Sequence, residues 1–401
     1  MRRSSISHPR HAPRGPGRCA QRARAIAGLA FLTVAIAGCA ALPTGPSATA
    51  DVPGLVASVT FAPDGRLWRA RAEVDRILVD YSGDLGVSFS SPVAVNVTSQ
   101  RIKALPEDRP AIAVDPSGAV GVVYYAEESR GVVPYFSYSV DRGRHFSAPR
   151  TLSTPGADDV EHSMVTLAVS GSDGVRLFWY ETRGHGGKTS LFYTAADRLD
   201  GLSAPQRQIA GAMCECCRLA LDFDQQGRPV LFARVIFPGS IRDHALLTVE
   251  PISSHRVTDD GWRIDACPKH GPALSIAEDG RYHIAWFTQG DKRQGLFYAH
   301  SDNDGQDFSP PLGFGKLDLL AQHADVLALG NRVVLAWKEF DGHKTRLLAM
   351  QSQDRGTRWS GATVIGESNA ESDHPDLITH GQRIFVSWSA LDHGYKLIPI
   401  L

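Results

Sequence analysis

The sequence predicts an all-β protein, a β-propeller of four-stranded antiparallel blades, with seven blades favoured and six as the alternative. Three observations predict it. The segments YSGDLGVSF, YSVDRGRHF, HSDNDGQDF and QSQDRGTRW share a Ser-x-Asp-x-Gly-x-x-aromatic pattern beginning at Ser82, Ser139, Ser301 and Ser352, with Asn303 at the acidic position of the third copy. Degenerate copies at Thr194 and near Thr248 fill the long gap, so successive spacings are 57, 55, 54, 53 and 51 residues, a period near that of propeller blades. Each repeat also opens alike, with a short apolar strand, a Gly turn and a second strand ending in an aromatic, and helical periodicity is nowhere sustained.

The elements follow in chain order. Residues 1 to 24 hold many arginines and no acidic residue, and AIAGLAFLTVAIAG then forms an apolar run too short for a stable membrane anchor and suited to a signal peptide. The run ends in Ile36-Ala37-Gly38-Cys39, a tetrapeptide that resembles a bacterial lipobox, in which Cys39 is lipidated and becomes the first mature residue. Residues 1–38 are thus expected to be removed, 39–53 to form the lipidated Cys and a flexible Pro/Gly/Ser/Ala tether, and 54–401 to form the propeller. Ala40 rather than Asp follows the cysteine, which favours the outer membrane. The repeated strand pairs are RPAIAVDPSGAVGVVYY, CRLALDFDQQGRPVLFA, GPALSIAEDGRYHIAWF, ADVLALGNRVVLAWK and PDLITHGQRIFVSWS, and an N-terminal strand around residues 46 to 53 is expected to complete the last blade. In the Ser-x-Asp-x-Gly turn the Asp accepts backbone N–H bonds and the Gly supplies a positive φ. Trp286, Trp337 and Trp388 recur at second-strand ends and read as inter-blade core.

These repeats are Asp-boxes, and on them the chain resembles the sialidase-like (BNR-repeat) β-propellers over nearly all of residues 54–401. The resemblance implies fold more than activity, because the boxes lie on the outer rim and the fold hosts several functions. Family sialidases bind the sialate carboxylate with three arginines, the first in a Phe-Arg-Ile-Pro motif before the first blade, and attack with a Glu-activated Tyr assisted by an Asp. The corresponding region here, ADVPGLVASVTFAPDG, has no arginine. Arg109 and Arg218 begin inner strands, but without that motif sialidase activity is the alternative rather than the expectation.

Six cysteines occur, of which Cys19 and Cys39 precede the propeller and Cys214, Cys216, Cys217 and Cys267 lie within it. Aligned on the Gly turns, the residue ten before Gly280 is His270 and the residue ten before Gly227 is Cys217; the next two blades, aligned on their strands, place His323 and His374 at the same position, blade three, offset by one or two residues, places His162 or Ser163 there, and blade two Asp108. Equivalent positions on successive inner strands form a ring at one end of the central channel. Cys267-Pro268-Lys269-His270 adds a Cys-x-x-His, so Cys214, Cys216, Cys217, Cys267, His270, His323, His374 and His162 are the expected ligands of a copper or zinc ion. Cys-x-Cys-Cys also resembles a family of small periplasmic copper-binding proteins. Glu215, Asp325, Asp376, Arg109 and Arg218 are the expected polar residues around them. Two disulfides, one joining the Cys214–Cys217 segment to Cys267, are the alternative use of these thiols in an oxidising compartment.

A formal charge of −1 supplies no basic patch for nucleic acid. The expected partners are the membrane, through the N-terminal lipid, and a protein or glycan ligand on the propeller face. The sequence carries no signal of oligomeric state. The lipobox reading has a direct test: Cys39→Ala should abolish metabolic incorporation of a labelled fatty acid, and unchanged labelling would refute it.

Overall fold

Segments that alternate in sequence become strands with one face inward, as along Leu67–Ala72 and Ile77–Ser82, where buried and half-buried side chains interleave. The structure, a computed structural model, describes residues 54–129, 131–152, 165–170, 174–182, 188–202 and 206–401. Cys39, the expected site of lipidation, the strand expected over residues 46–53 and His162 lie outside the described residues.

Seven antiparallel sheets succeed one another along the chain. The first consists of Ala57–Phe61, Leu67–Ala72, Ile77–Ser82 and Val93–Ala94, each paired with the next in sequence, and the third to sixth repeat this meander. The second adds Arg101–Lys103 alongside the far end of Val120–Glu128. In the seventh, three strands are described, Asp376–His380, Arg383–Ala390 and Gly394–Ile400. Among the described residues the helical content is two short turns, Leu199–Gly201 and Leu317–Leu319.

The sheets are blades of a closed ring. Their first strands, Ala57–Phe61, Ala111–Val114, Val165–Ser170, Ala220–Phe223, Ala273–Ile276, Gln322–Leu329 and Asp376–His380, each touch the next, and the last touches the first. Side chains on or beside these strands pin neighbouring backbones. Asp222 accepts the Ile276 N–H at 2.6 Å, Ser275 Oγ the Ala328 N–H at 3.0 Å, Asp325 the Leu377 N–H at 2.6 Å, and Asp373 the Ala57 N–H at 3.4 Å, the last joining blade seven to blade one. Burial pushes Asp222 and Asp325 up to about 6.

Between blades the core is aromatic. Trp286 packs with residues of blades four and five, Trp337 with blades five and six, and Trp388 with blades six and seven, as the recurrence at second-strand ends predicts. The Ser-x-Asp-x-Gly turns sit between third and fourth strands. In the first, Ser82 Oγ donates to Asp84 Oδ1 at 2.7 Å and accepts the Gly86 N–H at 2.8 Å, while Asp84 Oδ1 accepts the Ser88 N–H at 2.9 Å. Leu85 and Gly86 are both left-handed, with φ of 59° and 82°, which explains the glycine. In the copy at Ser301, Asn303 Oδ1 accepts the Ser301 hydroxyl at 2.8 Å and the Asp307 N–H at 3.0 Å. An amide oxygen therefore closes this turn without a charge.

One pH response follows from the blade packing. His283, on the second strand of blade five, is 1% exposed and contacts the Tyr298 hydroxyl through Nδ1 at 2.7 Å; burial, then the neighbouring His300, push it down to about 3. A folded-state value below the unfolded one means stability that is complete above about pH 6.5 and is lost as pH falls toward 3. Between pH 7 and 5 this imidazole should account for about 2 kcal/mol of lost stability. Urea unfolding of His283→Gln should show a correspondingly smaller drop between those pH values, and an unchanged drop would refute the assignment.

Candidate functional site

The chain enters the first strand of blade two through a turn in which the Asp108 N–H donates to Leu105 O at 2.8 Å, and this turn carries Glu107 into the centre of the ring. Its carboxylate gathers groups from four other blades. Oε2 accepts the Arg218 N–H at 2.9 Å and the Gly271 N–H at 3.2 Å. Oε1 faces His323 Nδ1 at 3.1 Å and His374 Nδ1 at 3.4 Å; the first is a hydrogen bond, while the second leaves the His374 nitrogen buried without a hydrogen-bond partner. Burial by itself would raise the Glu107 pKa, but the contacts with His323 and His374 and the charge of Arg218 outweigh it and hold the group well below the usual carboxylate range.

The imidazoles form a column. Phe287 stacks on His270 with ring centroids 4.1 Å apart, His270 on His323 at 4.6 Å, and His323 on His374 at 3.4 Å. Burial lowers all three, His323 to about 4 and the others well below their ordinary value, so the rings are neutral at neutral pH despite the adjacent carboxylate. His323 occupies a bulge, where pairing with blade six's second strand slips between Gln322 and Asp325, and its φ is +53°. A β-bulge with a left-handed non-glycine residue re-aims a side chain, and here it aims the ring at Glu107.

The four cysteines of the propeller are free thiols. The segment from Met213 pairs with the end of blade four's second strand, Cys214 N–H donating to Arg234 O at 3.0 Å, and then turns so that the Cys217 N–H donates to Cys214 O at 3.2 Å. This turn faces the sulfurs inward: Cys214 Sγ lies 3.4 Å from Cys217 Sγ and 3.8 Å from Cys216 Sγ, all three buried. Cys267, exposed on blade five's approach, contacts Glu215 at 3.7 Å and interacts with Cys216. Arg242 Nη1 donates to Cys214 Sγ at 3.2 Å, and the fully buried Arg234 adds its charge. Hydrogen bonds from Cys216 and Cys217, aided by these arginines, bring Cys214 well below the ordinary thiol value; the same contact pushes Cys216 up, and burial pushes Cys217 up. A cavity of about 570 Å³ beside this turn is lined by Glu215, Ile236, Phe237 and Arg242, among others.

The ligand atoms thus fall into two groups among the described residues, Cys214/Cys216/Cys217 and Glu107/His323/His374, and no group of three joins a thiol to an imidazole. His270 stays with the histidine column. Arg109 donates to His374 O at 2.6 Å and pairs with Asp373 at 3.2 Å and Asp376 at 3.8 Å, while Arg218 Nη2 donates to Ala324 O at 2.8 Å. Asp325 is spent on the Val326 and Leu377 N–H groups. The sequence alignment pointed to Asp108, one residue from Glu107; the missed signal is the Pro106–Pro110 turn, which shifts blade two's approach by one position.

No protein-family model matches the sequence, and no curated protein matches it. Solved structures do. A polysaccharide lyase, an ulvan lyase bound to a -[GlcA(1-4)Rha3S]- ligand, aligns with a TM-score of 0.54 at 11% identity, over 87% of this chain and 93% of that one. An α-L-arabinanase of Penicillium chrysogenum gives 0.49 at 10% identity over 76% and 94% of the chains, and the NanB sialidase of Streptococcus pneumoniae 0.46 at 10% over 72% and 65%. At such identities the likeness is one of fold.

The tightness around Glu107 has a measurable consequence. A Cβ on Gly271 would lie 2.1 Å from Arg218 Cγ, 2.8 Å from Arg218 N and 2.9 Å from Glu107 Oε2. Gly271→Ala should therefore cost about 1–3 kcal/mol of unfolding free energy by overpacking. Gly361→Ala, whose Cβ meets nothing within 4 Å, should be close to neutral, and equal effects would refute this reading.

Proposed function

We propose that the protein is a lipid-anchored, sialidase-like propeller of the bacterial cell envelope that binds a soft transition metal, copper or zinc, at Cys214, Cys216 and Cys217. The observation that supports this best is the convergence of three buried sulfurs within 4.8 Å of one another. The Cys214 separations from its two neighbours, 3.4 and 3.8 Å, compare with the edge of about 3.8 Å expected for a tetrahedral site with bonds of about 2.3 Å. Arg242 and Arg234 favour thiolate, the metal-binding form. Cys267, exposed and interacting with Cys216, would receive an ion from outside and complete the sulfur set. Two further polar features suit a charged occupant: the buried Tyr180 hydroxyl has no hydrogen-bond partner, and its phenol feels the negative charge of Cys214.

Thiolates select Cu(I) and Zn²⁺ over hard ions, and the propeller holds the turn that presents them rigid between blades three, four and five. Glycan hydrolysis of the sialidase type has less support. Arg109 and Arg218, the candidate carboxylate binders, have their guanidinium groups engaged with His374 O, Ala324 O and Asp373.

Protein purified under reduction and reconstituted should bind about one equivalent of Cu(I) or Zn²⁺. Cys214→Ser combined with Cys217→Ser should abolish that binding while far-ultraviolet circular dichroism stays that of the parent. A reduced parent protein that takes up neither ion would overturn the proposal, as would full uptake by the double variant.

A further inference from the structure

We propose a second metal site, separate from the thiols, in which Glu107, His323 and His374 bind a borderline divalent first-row cation at the centre of the ring. The three ligand atoms lie within 4.8 Å of one another. The two imidazole nitrogens stand 3.1 and 3.4 Å from the same carboxylate oxygen. Bonds of about 2.1 Å to nitrogen and oxygen span edges of about 3.0 Å at a right angle and about 3.4 Å at the tetrahedral angle, so both distances match a common ion, and the rings, stacked with centroids 3.4 Å apart, tilt apart on binding to turn both Nδ1 lone pairs on it.

The division of labour on Glu107 supports this reading. Its Oε2 is taken by backbone N–H groups of Arg218 and Gly271, which fix the carboxylate and leave Oε1 turned to the imidazoles. Such outer hydrogen bonds are what orient a metal-binding carboxylate. His374 Nδ1 is buried, aimed at this oxygen and without a hydrogen bond, and His270 Nδ1, in the next ring of the column, is likewise without one. An ion between Oε1 and the two rings supplies the partner that His374 lacks. The stack and the bulge at His323 keep both nitrogens beside Oε1, within a small rotation of a shared ion. The donors are thus gathered at one point, and the strained backbone at His323 is the kind of feature that persists where a site requires it.

Charge does not forbid a cation there. Arg109 is paired with Asp373 and Asp376; the remaining cations are Arg218, whose charge acts on Glu107 and His323, and the buried Lys338, whose charge acts on both imidazoles, and the ionised Glu107 stands against them. Asp325 bears on Arg109 as well. The donors are two nitrogens and an oxygen, which suits Zn²⁺, Co²⁺ or Ni²⁺ and discriminates against Cu(I).

The test uses the chain with Cys214, Cys216, Cys217 and Cys267 all changed to Ser, so that failure of the thiol site cannot be confused with failure of this one. Titrated with Co²⁺ and with Zn²⁺, this variant should bind one equivalent, show cobalt ligand-field absorption without sulfur-to-cobalt charge transfer, and unfold at a higher temperature with metal than without. Adding Glu107→Gln, or His323→Gln with His374→Gln, should weaken binding at least tenfold. Because a carboxylate hub is also structural, Glu107→Gln is to be judged beside Gly271→Ala, which disturbs the hub's packing while keeping all three donors. Absence of stoichiometric binding in the Ser variant, or binding that survives Glu107→Gln and the double His variant, would overturn the proposal and leave the cluster a purely hydrogen-bonded hub.

Discussion

One buried anion organises the centre of this propeller. Glu107 arrives from blade two and is met by backbone N–H groups of blades four and five and by imidazoles of blades six and seven. An ionised carboxylate removed from water without such partners would cost several kcal/mol or more. The approaches of four blades are therefore placed relative to one atom group. Several local oddities follow from that requirement. Position 271 admits no side chain, because a Cβ would collide with Arg218 and press on the carboxylate. His323 adopts a left-handed conformation at a bulge, because a regular strand would direct its ring elsewhere. Arg109 clamps His374 O from blade two, so the carboxylate and one of its imidazoles are supported by the same turn.

A buried cation does comparable work a short distance away. Arg234 is fully buried and donates to carbonyls: Arg242 O at 2.7 Å, Phe287 O at 2.7 Å and His270 O at 3.1 Å. Carbonyl dipoles solvate a guanidinium but do not cancel its charge, and that charge acts on the Cys214 sulfur, lowering its pKa. This couples the two clusters through one side chain. Arg234 holds the backbone of His270, whose ring belongs to the histidine column, and at the same time favours the ionised sulfur in the turn of Cys214 to Cys217.

How much of this was legible in the sequence depends on whether a feature repeats. The blades were legible because Ser82, Ser139, Ser301 and Ser352 mark the same turn each time, and the inter-blade tryptophans were legible because each closes the same strand. The repeat also located the strand starts where His270, His323 and His374 meet. It could not show which way each side chain turns at that start, since a residue's position along a strand says nothing of the bulge that rotates His323 or of the turn that folds the cysteines toward Arg242. Hence one ring of thiols and imidazoles was expected, whereas the ligand atoms stand in two groups. Glu107 escaped for a related reason. It belongs to a turn peculiar to blade two, and a residue without counterparts in the other blades leaves no periodic trace.

The separation of the two groups has a chemical consequence that the ring alone would not have. Sulfur donors and nitrogen or oxygen donors prefer different ions, and affinities at mixed sites are set largely by whichever soft ligands are within reach. A frame that kept all these side chains in one opening would let the thiolates dominate any ion entering it. Here the thiols lie under the turn between blades three and four, packed against Ile236 and Arg242, while the imidazoles are locked in a stack whose ends are Phe287 and His374. Neither set reaches the other without breaking a buried contact. Rigidity between blades, maintained by the side-chain-to-backbone pins from Asp222, Ser275, Asp325 and Asp373, is what preserves that distinction. In this molecule the propeller contributes the placement of donors, and the loops that lead into its inner strands contribute their identity.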